Sequence, residues 1–146
     1  MADFKWGTGW SSATSLLTTN LNSLGNNTIS VASAAVNNTS NKDMHAFIEV
    51  ILASLTPTGA AYVGIYMTKA LDATNYEDAP ITGGSQRNTL VASIPVSTTT
   101  GAKRVMSEHP ILLPPYNVKF YLDNRSGVAF GSSDNELKIY IGNLAY

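Results

Sequence analysis

The chain has 146 residues, no cysteine, a formal net charge of -1 and 13% charged residues, against about 25% in an ordinary soluble domain. That length suits one domain, and the missing thiol excludes a disulfide scaffold, thiolate metal sites and a cysteine nucleophile. The near-neutral charge excludes a polycationic footprint for nucleic acid or a polybasic membrane patch, and no apolar run approaches the roughly 18 residues of a membrane span.

Residues 1 to about 25 read as an N-terminal arm and 26 to 146 as a β-sandwich domain. The opening MADFKWGTGWSS lacks the basic region and apolar core of a secretory signal. Leu16, Leu17, Leu21 and Leu24 follow, separated by Thr and Asn that disfavour a long helix, so an extended arm and a single helical turn both stand. Trp6 and Trp10 either fold back over the domain's own sheet or reach a neighbouring subunit as aromatic anchors.

Asn26-Asn27 turns the chain into a first strand with Ile29, Val31, Ala34 and Val36 inward, and Asn37 to Asp43 is a polar loop. From His45 to Leu55, Ala46, Ile48, Val50 and Leu52 define one face and His45, Phe47, Glu49, Ile51 and Ala53 the other. A helix is the rival reading, since Phe47, Ile48, Ile51, Leu52 and Leu55 also suit helical spacing; the β-branched residues favour a strand. After the Thr56-Pro57-Thr58-Gly59 break, Val63, Ile65 and Met67 alternate with Tyr62, Gly64, Tyr66 and Thr68.

Residues 70 to 86 form a long loop, which in a compact domain usually contacts something. A strand from Arg87 or Asn88 to Val96 places Leu90, Ala92, Ile94 and Val96 inward, with Pro95 marking an edge or an exit. Ser97 to Gly101 turns, Arg104 to Met106 and Ile111-Leu112 are short strands, and Pro114-Pro115 forces extended backbone. Two clean alternations close the chain: Val118, Phe120 and Leu122, then Leu137, Ile139 and Ile141. About eight strands and no helix able to cover a parallel sheet predict an all-β, antiparallel β-sandwich.

Reactive constellations are scarce. His109 beside Glu108 is a minimal ligand pair, better explained as an ordinary loop. The many serines give paper triads without a nucleophile-elbow spacing. Asp72 to Asp78 gathers oxygen ligands but lacks calcium-loop spacing, and Gly83-Gly84-Ser85 lacks the lysine of a phosphate loop. The sequons at Asn26, Asn37, Asn38 and Asn124 follow from composition. No cofactor, metal site or enzymatic activity is expected. Tyrosine is the remaining feature: Tyr62 and Tyr66 share a strand face, Tyr121 and Tyr140 are expected on the wet side of another sheet, and Tyr76 lies in the long loop. Single aromatics on an open sheet carry no function by themselves, yet sparse charge around these favours a binding face, for protein rather than glycan.

The stretch TPTGAAYVGIYMTKALDATNY, from Thr56 to Tyr76, and the closing LPPYNVKFYLDNRSGVAF and NELKIY resemble structural proteins of tailed bacteriophage virions, in which a strand is followed by a D-G-T-N-Y loop. The likeness spans roughly residues 28 to 144, with Ala73 where the pattern has glycine. It implies a jelly-roll-like component such as a capsid cement or decoration protein, or a tail-associated protein. It also implies a homo-oligomer such as a trimer, made in the bacterial cytoplasm and bound to the major capsid protein or another virion protein. The interface expected from the residues themselves is Trp6, Trp10, Phe47, Tyr62, Tyr66, Tyr76, Tyr121 and Tyr140. The alternative is a carbohydrate-binding or receptor-binding module of a phage tail, stacking sugars on Tyr62, Tyr66 or Tyr76.

Overall fold

A computed structural model describes residues 10–79 and 90–142, together with the backbone of 5–6 and 144–145. The Gly83-Gly84-Ser85 stretch, the strand start expected at Arg87 or Asn88, and the side chain of Trp6 lie outside the described residues. The strands are β1 (Lys5–Trp6), β2 (Thr14–Leu17), β3 (Thr28–Ile29), β4 (Val36–Asn37), β5 (His45–Leu55), β6 (Tyr62–Ala70), β7 (Leu90–Pro95), β8 (Gly101–Met106), β9 (Ile111–Leu112), β10 (Asn117–Arg125), β11 (Glu136–Gly142) and β12 (Leu144–Ala145). Among the described residues one 3-10 turn, Thr19–Leu21, is the helical structure present, and no helix is long and apolar enough to cross a membrane.

Among the described residues ten strands form two antiparallel sheets in a sandwich-like arrangement, and β1 pairs with β12 as a small separate ribbon. The first sheet runs β2-β11-β5-β8, with β9 also on β5; the second runs β3-β10-β6-β7, with β4 also on β10. Ten strands rather than about eight arise because the expected first strand is split into β3 and β4, which follow one another along one edge of β10, and because β2 comes from the segment read as an arm; β8 and β9, expected as separate short strands, follow one another along β5. The period of two predicts the interior. Ile48, Val50 and Leu52 of β5 and Leu137 and Ile139 of β11 meet Val63, Ile65 and Met67 of β6 and Val118, Phe120 and Leu122 of β10 in one buried cluster. The helical alternative for β5 fails because β5 is flanked along its length by β11 and by β8 and β9.

The segment read as an arm contributes to this core. Leu16, Leu17 and Leu21 are buried, because β2 pairs with the outer edge of β11 and Leu17 stands opposite Leu137. Three inward assignments also change. Leu90 is 40% exposed, since a bulge between Ile65 and Tyr66 brings Leu90 opposite the outward Tyr66. Val31 is 60% exposed and Ala34 is exposed, because the edge of β10 is clasped by serines. Ser30 N–H donates to the Leu122 carbonyl (2.8 Å) and its hydroxyl accepts from Leu122 N–H (3.0 Å); Ser33 does the same at Phe120 (2.9 and 3.0 Å). Two inward serines three residues apart break the alternation and turn Val31 outward.

Asparagine is structural as well. Asn38, Asn124 and Asn135 are buried, and each bridges backbone segments that no strand pairing satisfies. Asn38 Nδ2 donates to the carbonyls of Asp43 (2.7 Å) and Pro114 (2.9 Å), and its Oδ1 accepts from Asp43 N–H (2.8 Å). Burial and these bonds occupy the acceptor nitrogen of the sequons at Asn38 and Asn124.

Candidate functional site

Alternation leaves each sheet an outward face, and the expected aromatic residues divide between the two. On the first sheet the register aligns Tyr140 with Phe47 and Lys138 with Glu49. Trp10, half-buried, packs edge-on against Phe47 with ring centroids 4.7 Å apart. It lies over Gly142, where an added Cβ would come within 2.8 Å of the indole. Ser11 fixes this approach, its N–H donating to the Ile141 carbonyl (2.8 Å) while its hydroxyl accepts from Ile141 N–H (2.9 Å). Of the two roles open to Trp10, the structure has the fold-back onto its own sheet.

Below this aromatic pair sits a charged network. Glu49 faces outward yet its side chain is 1% exposed: Arg104 Nε pairs with Oε1, and Tyr140 donates its hydroxyl to Oε2 at 2.7 Å. Burial by itself pushes the Glu49 carboxyl up, but the bonds from Arg104 and Tyr140 together with the charges of Arg104 and Lys138 bring it below its ordinary value. Glu136 extends the network to Lys138 (3.0 Å) and to the Ser15 hydroxyl. Met106, opposite Glu49, is 50% exposed, and Leu112, opposite His45, is 67% exposed. The face is apolar and aromatic at one end and internally neutralised at the other.

Tyr62, Tyr66 and Tyr121 lie on the second sheet. Tyr121 stands directly opposite Tyr66, so the expectation that it shares a face with Tyr140 is incorrect; β10 and β11 are in different sheets. Arg125 stands opposite Tyr62 and Asp123 opposite Gly64. Arg125 Nε donates to Asp123 Oδ2 (2.7 Å) and its Nη1 to Asn27 Oδ1 (3.2 Å). Tyr76 comes to this sheet through its loop: Glu77 N–H bonds the Lys69 carbonyl (3.0 Å), Glu77 pairs with Lys69 Nζ (3.3 Å), and Lys119 Nζ sits 4.2 Å from the Tyr76 ring centre. Sequence reasoning omitted Asp123, Arg125 and Arg104. Asp123 and Arg125 were recoverable as wet-face residues two apart on β10, whereas the Glu49–Arg104 pair depends on strand order.

No protein-family model, curated protein or solved structure matches this chain. His109 and Glu108 are both exposed, 4.0 Å apart, on the loop between β8 and β9, which lines an open cleft of about 390 Å³ against Val91, Ala92 and Ser93 of β7. Among the described residues no group of three or more His, Asp or Glu converges as metal ligands. Asp72 spends its carboxylate locally: Oδ1 accepts from Asn75 N–H (2.7 Å) and Thr74 N–H (3.0 Å), and Oδ2 from Asn75 Nδ2 (2.6 Å). The Asn75 and Thr74 backbone donors hold its pKa at about 2. This turn puts Ala73 at φ +63°, the position where the phage pattern has glycine. An L-residue there costs about 1–2 kcal/mol, so Ala73→Gly is expected to raise stability by up to about 1 kcal/mol after the entropy of the added glycine. Urea unfolding checks it, and a destabilised variant would contradict it.

Proposed function

We propose that this chain is a noncatalytic structural protein of a tailed-bacteriophage virion, a jelly-roll module that docks on coat or other virion subunits at the particle surface. Strand order supports the jelly roll. With β3/β4 and β8/β9 each counted once, eight strands lie in two sheets of four, β2-β11-β5-β8 and β3/β4-β10-β6-β7, and the chain passes between sheets at every step except β6 to β7. The observation that carries the docking role is the first sheet's outward face, where Trp10 on Phe47, Tyr140 and the exposed Met106 and Leu112 adjoin an ion network closed on itself. Aromatic residues, Met and Arg with little unpaired charge match the composition of a protein–protein contact core. Repetition on a lattice converts a modest contact into tight retention, and oligomerisation, as a trimer in this reading, multiplies it.

Met106→Asp and Leu112→Asp place a charge on this face at exposed positions that the core does not use. Each is expected to lower retention on purified particles at least tenfold, the effect of about 1.4 kcal/mol or more of lost contact, with circular dichroism and melting unchanged. Unaltered retention of the double variant would remove this face from the mechanism.

A further inference from the structure

We propose that the outward face of the second sheet carries a separate binding site for a neutral pyranoside chain, built on Tyr62, Tyr66, Asp123 and Arg125. Tyr62 and Tyr66 sit four residues apart on one face of β6, their backbones about 13 Å apart by strand rise, and the Tyr66 ring leans back over Gly64 between them, a row of aromatic area that suits a chain of sugar rings. Between them Gly64 contributes no side chain, and its cross-strand partner is Asp123. The floor beside Gly64 is therefore the Asp123–Arg125 pair on the neighbouring strand, with Asp123 Cβ 3.5 Å from the point where a Gly64 Cβ would stand. Tyr66 Cε2 and Leu90 Cδ1 approach to 3.4 and 3.5 Å of the point where a Gly64 Cβ would stand, closing the floor from above.

Three features select the ligand class. The guanidinium and carboxylate cancel, so the floor favours a neutral ligand over an acidic sugar or a nucleic acid. Tyrosine rings offer flat amphipathic area to the C–H face of a pyranose. Asp123 is 2% exposed and its Oδ1 has no hydrogen-bond partner among the described residues, while Oδ2 is taken by Arg125; Thr68, fully buried on the same face beyond Tyr66, has an Oγ1 likewise unpartnered among them. A buried acceptor without a donor costs about 1–3 kcal/mol, and sugar hydroxyls are donors that relieve it. Arg125, with five donors in a planar fork, accepts no bond and complements the acceptor side of the same hydroxyls. Reaching Oδ1 requires the Tyr66 ring or the exposed Leu90 to move aside, so binding is expected to change tyrosine fluorescence.

Affinity electrophoresis of the whole chain through native gels containing hydroxyethyl cellulose, galactomannan or dextran, with alginate as the anionic comparison, tests the site. At least one neutral polymer is expected to retard the protein. Tyr62→Ala, at a position already 39% exposed, is expected to weaken that retardation about tenfold, the loss of one stacking ring, without changing the circular dichroism. Met106→Asp on the other sheet should leave it unchanged, which separates this site from the proposed particle contact. Retardation by no neutral polymer, by alginate alone, or undiminished in Tyr62→Ala would overturn the proposal. So would a Tyr62→Ala variant that lost particle retention with no polymer binding in the parent, because the face would then be a protein contact.

Discussion

Replacing Asn124 by alanine is expected to lower the unfolding free energy by about 3–5 kcal/mol, a large part of the stability of a domain this size. The side chain is completely buried at the end of β10 and serves four groups. Its Nδ2 donates to the carbonyls of Leu24 (2.9 Å) and Val128 (2.8 Å), and its Oδ1 accepts from the N–H (3.0 Å) and hydroxyl (2.7 Å) of Ser126. Alanine removes both the amide and its contacts, and the Ser126 N–H is left inside the protein without that acceptor. Asn124→Asp keeps the acceptor but turns a carboxylate oxygen toward two carbonyls, so it should be at least as damaging near neutral pH. Urea denaturation gives the comparison directly; a loss below about 1 kcal/mol for alanine would mean that solvent reaches these groups.

Gly127→Ala is expected to cost about 2–5 kcal/mol, from two causes that can be separated. At φ +83° any L-side chain is strained by about 1–2 kcal/mol, and the new methyl would lie 2.1 Å from Thr58 Oγ1 and 2.9 Å from the Thr58 carbonyl oxygen. Gly59 is the comparison, since it has φ +67° and nothing within 4 Å, so Gly59→Ala should show the backbone cost alone. Adding Thr58→Ala to Gly127→Ala removes the hydroxyl clash and should recover part of the loss, read as coupling in a double-mutant cycle. Equal melting temperatures for Gly59→Ala and Gly127→Ala would contradict the close approach between the 126–128 turn and Thr58.

The fold was legible where burial is one-sided. In β5, β6, β10 and β11 a dry face must alternate with a wet one, and residues such as Ile48, Ile65, Phe120 and Leu137 declare it. It was illegible where side chains replace backbone in the hydrogen-bond ladder. Ser30 and Ser33 read as small residues between the inward positions of a first strand yet they are the buried ones and complete the edge of β10, and Asn38, Asn124 and Asn135 look like turn formers yet lie in the interior. Polar residues that fold inward to serve carbonyls leave no periodic trace. The arm was misjudged for a related reason: Thr and Asn diluted the leucine signal of residues 16 to 21, although β2 needs only Leu16 and Leu17 to join the core.

The candidate faces followed the same division. Tyr62 and Tyr66 are placed together by period two alone, and so is the outward position of Phe47. Which strand lies beside which decides the rest, and neighbours such as Tyr121 and Tyr66, or Glu49 and Arg104, are far apart in the chain.

β10 and β11 lie between other strands rather than at the margins of their sheets. A nascent chain that has reached residue 116 therefore holds β5 with β8 and β9, and β6 with β7, but has nothing to join β2 to β5 or β3 and β4 to β6, and both layers stay incomplete while residues 117–142 are made. Assembly must close by late insertion into the middle of each layer, a route dominated by distant contacts and correspondingly slow. During synthesis the low charge of the chain gives these open edges little repulsion from one another, which makes the growing polypeptide more vulnerable to aggregation than the finished protein.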